Sequence, residues 1–499
     1  MDDVRSISVE RAGISRLFLY TGLLLAAVIG YMVVVNIGMT FGFVAALALF
    51  GLVVLRPAGL IPVLVILSIF IESALRSVTI SVGGQELLNF NGVVNCSLVG
   101  ATLLYIIAGR IRPFQSHISR SFLLYCAAVA LSLVFSVDAM LTVRSLVRIA
   151  AAYCIYLIIT QFLTDRRRLD RVFQLLVMLS AVPITMGLYQ IVFVNHFVVS
   201  RAMRTGGTFA TSMSYAMYLA LILPYVFGQI FFSRAGAVKK GLFCVLFLAG
   251  LVNLVYNPTR IAWGVFTFTM VSYGILTNAR KFFPPIMILL VLVVVIFFPF
   301  LKRQFGGYFM TDWRTYFSND TGWDIKSADY IAASSLHIRV FVWRHMLHDV
   351  ADNVLFGRGS GTWFDAQDRK AIGFPIASHS DYFEVLYGTG ILGLWLYLVF
   401  RIRQLTLLAR FARSDVEIDV KRTVLYPCLL THIGCLGMSV TEVWQSYSGI
   451  YWLSWITFAI SETCYNIYRV GQSPSSPAFE TTQRDMNDVG AGLSPGEAD

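Results

Sequence analysis

The chain has 499 residues, of which 57% are hydrophobic and 13% charged, with a formal net charge of +11. That balance excludes an ordinary soluble protein, in which charged residues make up roughly a quarter of the chain. The positive excess calls for no nucleic acid, because most Lys and Arg gather where an anionic inner leaflet would lie.

Long uncharged segments recur from Leu17 to about Tyr465, each close to the roughly 20 residues that cross a bilayer as a helix. In chain order hydropathy places spans at 17–35, 37–55, 57–75, 91–109, 120–136, 142–163, 172–194, 209–232, 241–256, 259–277, 282–300, 382–400, 424–440 and 447–466. The predicted fold class is therefore all-α, a polytopic membrane bundle of about 12–14 transmembrane helices. Pro57, Pro284 and Pro285 stand near helix starts, where a missing amide costs little, whereas Pro183 and Pro224 predict interior kinks.

The expected organisation is a bundle over 1–301 and one large outer loop over 302–381, followed by three further spans over 382–468 and a tail over 469–499. From Gly471 the tail is rich in Ser, Pro and Gly and poor in aliphatics, the composition of a disordered segment. The first apolar segment is too long for a cleavable signal and is followed by more spans, so it is expected to stay as the first of them.

Orientation follows from the basic residues. Arg5, Arg56, Arg110, Arg112, the RRRLDR run after Asp165, Arg234, Lys239, Lys240, Arg401, Arg403, Arg410, Arg413, Lys421 and Arg422 all fall on one side. The positive-inside rule makes that side, and both termini, cytoplasmic. All seven cysteines lie inside predicted spans, so none staples the outer loop. There is no Walker loop, CxxC pair or dinucleotide fingerprint, and no cofactor is expected.

The outer loop holds four of the seven histidines and four of the nine tryptophans. Within it, Leu336, Val340, Trp343, Leu347 and Val350 recur at helical spacing, predicting an amphipathic helix over about 335–353 that ends before Gly357. His345 and His348 share a face of that helix, but no third ligand stands at a recognisable spacing. The outer loops also lack an Asp-x-Asp pair of the kind that holds a divalent ion against a diphosphate. Arginines at the outer helix ends offer another source of positive charge: Arg201 and Arg204 in SRAMRTGGTF, Arg260 in YNPTRIAWG, and Arg144 and Arg148. Any one of them also fits headgroup anchoring. As a group they suit phosphate oxygens, which guanidinium forks bind in pairs, and the Gly206-Gly207 amides offer approach to the same anion.

In SHSDYFEVLYGTGILGL, His379 stands at the start of a predicted span. It is either an interfacial residue beside the helix cap or a general base, the role for which an imidazole is suited near neutral pH. Glu384, one turn on, is in position to orient it.

These landmarks resemble the O-antigen ligase and polymerase superfamily of bacterial membrane glycosyltransferases. The match runs through RTGGTFATSMSYAMYLAL, PTRIAWGVF and RVFVWRHMLHDVADNVLFGRGSGTWF to SHSDYFEVLYGTGILGL, about residues 200–400. Ser380 stands where the family usually has Asn, Met213 where a Pro-Asn pair ends, and Tyr387-Gly388-Thr389-Gly390 in place of the commoner Glu-Thr-Gly. The resemblance implies a GT-C-like fold in the inner membrane and a metal-independent, inverting transfer from an undecaprenyl-diphosphate-linked glycan. The acceptor is lipid A core for a ligase, or a growing glycan for a polymerase of O-antigen or exopolysaccharide. It implies that Arg204 and Arg260, with Arg201, hold the diphosphate, and that His379 takes the acceptor's proton. Arg339, Arg344, Gly206, Gly207, Asp381, Tyr382 and Glu384 join the substrate-binding set by the same correspondence, and Trp313, Trp323 and Trp363 are placed to stack on sugars. The alternative reading is a transporter or flippase of a lipid-linked glycan. Against it, Glu72, Asp138, Glu384, Glu442 and Glu462 fall towards helix ends rather than mid-span.

Overall fold

The structure, a computed structural model, describes residues 57–70, 79–82, 85–194, 205–257, 259–277, 335–363 and 377–469. The expected spans at 17–35, 37–55 and 282–300, Arg201, Arg204, Trp313, Trp323 and the tail lie outside the described residues.

The described chain is a helix bundle, as its apolar runs require, because a backbone that crosses lipid must satisfy its amides within the segment. Its helices are α1 (Pro57–Phe70), α2 (Phe90–Ile107), α3 (Ser119–Leu131), α4 (Ala139–Phe162), α5 (Arg166–Leu179), α6 (Ala181–Tyr189), α7 (Ser212–Phe232), α8 (Ala237–Tyr256), α9 (Arg260–Leu276), α10 (Ser335–Val350), α11 (Asp381–Arg413), α12 (Tyr426–Met438) and α13 (Ser448–Tyr468). Among the described residues five helical stretches are long and apolar enough to cross a membrane: Ala139–Phe162, Arg166–Val194, Ser212–Phe232, Ala237–Tyr256 and Asp381–Arg413. The helices account for most of the described chain, as expected of an all-α bundle, with one short antiparallel hairpin, β1 (Thr79–Val82) with β2 (Gln85–Asn89), between α1 and α2. Its β-branched Thr79, Ile80 and Val82 favour extended backbone.

Local chemistry sets the helix ends. Asp138 caps α4 by accepting from the Leu141 amide at 3.0 Å, and Thr211 caps α7 by accepting from Ser214 at 3.0 Å. The expected span 172–194 is longer than predicted and begins at Arg166. It breaks between α5 and α6 at Ser180, ahead of Pro183, which has no amide to offer the carbonyl four residues back. Pro224, by contrast, lies within an unbroken α7.

α7 is buried along almost its whole length, from Ser214 to Ile230, and α13 is buried from Ser448 to Cys464. Outer helices show Ile107, Val245, Ile275 and Ile402 at the surface, as a lipid-facing shell would. The bundle has two chemically different ends. At one, Glu417 accepts from Arg166 at 2.9 Å and from Arg234 at 2.8 Å, and Asp419 pairs with Arg234 at 2.8 Å. These exposed pairs add little stability individually, but they show that the starts of α5 and α8 and the α11–α12 connection share one basic end. At the other end Thr208 donates to the Ile69 carbonyl, Val137 to Arg358, and Asp381 to Ser439. Of the residues singled out from sequence, Arg339, His379, Asp381 and Tyr382 lie at that end.

Candidate functional site

The site is organised by a break in α11. Gly390 has φ 66° and ψ −170°, outside helical geometry, so the predicted single span over 382–400 is instead two helical arms. The groups freed at the bend are paired by the GRGSG turn and the residues just before it: Arg358 donates to Tyr387 O, Gly359 to Gly388 O, each at 2.9 Å, and Ile391 donates to Val354 O at 2.8 Å. A Cβ on Gly390 would lie 2.4 Å from the Leu355 carbonyl carbon and oxygen, and one on Gly357 2.5 Å from the Gly390 nitrogen. Only glycine allows two backbones to approach this closely at positive φ. The arms fold towards each other, so that the Tyr382 and Tyr397 rings come to 6.2 Å. The His379–Asp381 segment is thereby turned into the bundle, with Ser380 and Asp381 each 1% exposed.

The bend also corrects the position of Arg401. It was expected among the cytoplasmic cations, but a helix restarting at Gly390 leaves it only about 16 Å below the bend. There it is buried, donating to Tyr397 Oη at 3.1 Å and Gln404 Oε1 at 2.9 Å, and it lies over the rings of Tyr397, Phe400 and Trp444.

Asp381 and Tyr382 serve the fold at this point. Ser439 Oγ donates to Asp381 Oδ2 at 2.9 Å, the Gln445 amide faces Oδ1 at 3.4 Å, and Tyr382 Oη donates to Leu436 O at 3.0 Å. Together they fasten the short arm to the α12–α13 connection.

His379 sits just before this arm with φ 51°, the one non-glycine residue at positive φ among the described residues. Such a conformation persists where its surroundings enforce it. They do so on both sides: Trp343 Nε1 donates to Ser378 O at 2.7 Å and stacks on Phe383 at 4.8 Å, while Ser380 Oγ donates to Ser439 O at 3.0 Å. The imidazole remains 29% exposed. Its Nδ1 lies 3.4 Å from Glu442 Oε2, and the other oxygen of Glu442 accepts from Arg339 Nη2 at 2.8 Å. The carboxylate beside His379 is therefore Glu442. Glu384, offered by sequence for that place, is engaged by Ser378 and faces Arg148. Nothing in the local pattern marks Glu442, which is 63 positions from His379 and meets it only through the α12–α13 connection.

α10 brings Arg339 to this point. Its Val342, Met346 and Val350 pack with Trp363 and Tyr387 in a small core beside the main one. Trp363 is buried there, edge-on to Tyr387 at 5.2 Å, and not free to stack on a sugar. Arg344 and His348 lie exposed on the same helix. Among the described residues no group of three His, Cys, Asp or Glu is gathered to hold a metal.

The two arginine-bearing segments are brought together by Asn257, at the end of α8. Its Nδ2 donates to Thr205 O at 3.0 Å and Ser212 O at 2.5 Å, while Thr259 Oγ1 donates to its Oδ1 at 3.0 Å. The loop following Arg204 thus lies against the start of α9, where Arg260 is exposed. The Gly206 and Gly207 amides, expected to approach an anion, both donate to Gln190 Oε1 at 2.9 Å. Gln190 Nε2 returns a bond to Gly207 O at 2.9 Å, so these donors are spent on holding the loop. α9 packs on α12, Val265 against Gly434, which sets the start of α9 beside the connection that carries Glu442.

No curated protein matches the chain. Residues 244–398 match the family model described as O-antigen ligase, a stretch that contains Arg260, Arg339, His379 and the Gly390 bend. Over that stretch the chain is similar to the O-antigen ligase family, a likeness that supports a membrane glycosyltransferase of that general type.

Proposed function

We propose that the protein transfers a glycan from an undecaprenyl-diphosphate-linked donor to an acceptor sugar hydroxyl at the periplasmic face of the inner membrane, without a metal. The observation that carries the reading is His379: an imidazole held in a strained backbone conformation, partly exposed among buried neighbours, with a carboxylate on Nδ1. Nε2 is left for the acceptor. As the acceptor oxygen attacks the anomeric carbon, His379 takes its proton, and the bond to the diphosphate breaks with its electrons leaving on phosphate. Arg260, together with Arg204 and Arg201, neutralises the departing diphosphate, the role a metal plays elsewhere. Arg344, exposed on α10, adds charge for the phosphate or glycan. A single displacement inverts the anomeric centre. The end opposite the site carries the Arg166, Arg234 and Arg410 clusters, which supports a cytoplasmic assignment for that end and a periplasmic one for the site. The acceptor is lipid A core for a ligase or a growing glycan for a polymerase.

The test is transfer by the purified protein in nanodiscs, from an undecaprenyl-diphosphate-linked oligosaccharide to each acceptor, with chelator present and ATP absent. Transfer is expected, and His379→Ala lowers turnover by roughly a hundredfold or more while donor still binds. Movement of the donor across the bilayer without transfer would support the flippase reading. Normal turnover per folded His379→Ala molecule would remove the base.

A further inference from the structure

We infer that Glu442 is the positioning residue that makes His379 a base at Nε2, with Arg339 holding Glu442 in place. The inference rests on the reading of His379 as the base and assigns roles that the motif around His379 does not contain.

Glu442 is 2% exposed, and each of its oxygens has one partner: Arg339 Nη2 at 2.8 Å and His379 Nδ1 at 3.4 Å. Arginine is permanently cationic and only donates, so the carboxylate it holds accepts on both oxygens. A neutral imidazole facing a carboxylate oxygen carries its proton on the facing nitrogen, here Nδ1. The lone pair then lies on Nε2, on the exposed side of the ring, where an acceptor hydroxyl can reach it. With the other tautomer, Nε2 would be blocked by its own proton. The 3.4 Å separation is long for a hydrogen bond and shortens when the ring acquires charge in the transition state.

The other charged groups nearby do not offer this service. Asp381 is spent on Ser439 and Gln445, and Glu384 is engaged by Ser378 and faces Arg148. Arg339 belongs to α10, whose Trp343 also holds the carbonyl preceding His379. The loop helix therefore fixes both the backbone of the base and the carboxylate that sets its tautomer.

The experiment compares Glu442→Ala, Glu442→Gln and Glu442→Asp with His379→Gln in the full chain in nanodiscs. It measures transfer from an undecaprenyl-diphosphate-linked oligosaccharide and the tautomer of His379 by nitrogen NMR of labelled histidine. Glu442→Ala is expected to lower kcat by roughly 10²-fold or more, with KM for the donor held within about twofold. The His379 signal should move from the Nδ1-protonated form towards the Nε2-protonated one, and Glu442→Asp should recover part of both. If Glu442→Ala does not accumulate, the isosteric Glu442→Gln is read in the same two ways. An unmoved tautomer, or normal kcat in a folded Glu442 variant while His379→Gln is inactive, overturns this inference alone. An active His379→Gln overturns the base itself.

Discussion

Tyr382 and Tyr397 belong to one run of helical residues, yet their rings stand 6.2 Å apart. In an unbroken helix their Cα atoms would be separated by about 22 Å along the axis. The contact exists because Gly390 turns the chain, and the turn decides where His379 lies relative to everything else at this end of the bundle.

Gly390→Ala tests that dependence. The substitution puts a side chain at φ 66° and a Cβ 2.4 Å from Leu355 backbone atoms. Strain of about 1–3 kcal/mol adds to the overlap, and the variant should accumulate poorly and elute as aggregate on size exclusion. Gly100→Ala in α2, where an added Cβ meets nothing within 4 Å, serves as the control and should behave as wild type. Equal behaviour of the two variants would mean that the bend is dispensable.

Arg260 separates phosphate binding from headgroup anchoring. It is exposed at the first position of α9, and each variant's abundance and elution on size exclusion are measured beside transfer so that a loss of fold is told from a loss of binding. If it grips diphosphate with a planar fork, Arg260→Lys should lose nearly as much transfer as Arg260→Ala, because an ammonium cannot form the paired contact. Lysine that works as well as arginine at this position would make it a lipid anchor.

The two ends of the bundle carry a topology prediction. Reporter tags inserted after Arg234 or Arg410, both near the Glu417 network, should report cytoplasm, and a tag near Gly322 should report the opposite side. The reverse pattern would place the His379 site on the cytoplasmic face and end the periplasmic assignment.

His117, in the loop between α2 and α3, gives a pH dependence at the basic end. Its Nδ1 lies 3.1 Å from Glu462 Oε1, whose other oxygen accepts from Tyr156 Oη. The hydrogen bond to Glu462 raises its pKa above the ordinary 6.5, opposed by burial and by Arg410 and Arg403. A raised folded-state pKa means that the folded state holds the proton more tightly than the unfolded one. The contribution to stability is therefore complete below the ordinary value and is lost as pH rises through the raised one. Thermal unfolding of wild type and His117→Gln should differ more at about pH 5.5 than at about pH 8.5. A difference that does not change with pH would show that the pair contributes through packing alone.

The sequence by itself determined the membrane class, the helical fold, the basic end and the likeness to the O-antigen ligase family. Each of these follows from summed properties of contiguous residues: hydropathy over about 20 positions, charge between spans, and short ordered motifs. The GRGSG turn stood out as a short motif for the same reason, as did the segments that carry His379 and Arg260. Tertiary structure alone decided which groups meet. Glu442 rather than Glu384 faces His379, Gln190 takes the Gly206 and Gly207 amides, and Arg401 lies within the bundle. Trp363 fills a small core. For His379 and Arg401 the physical reason is the positive-φ backbone at Gly390, which turns one apolar run into two arms and carries the residues beyond it to a different depth, whereas the Gly206 and Gly207 amides are taken by a side chain that the loop's own packing brings to them. Hydropathy averages over such a bend, and the partners it brings together come from segments that the chain keeps far apart.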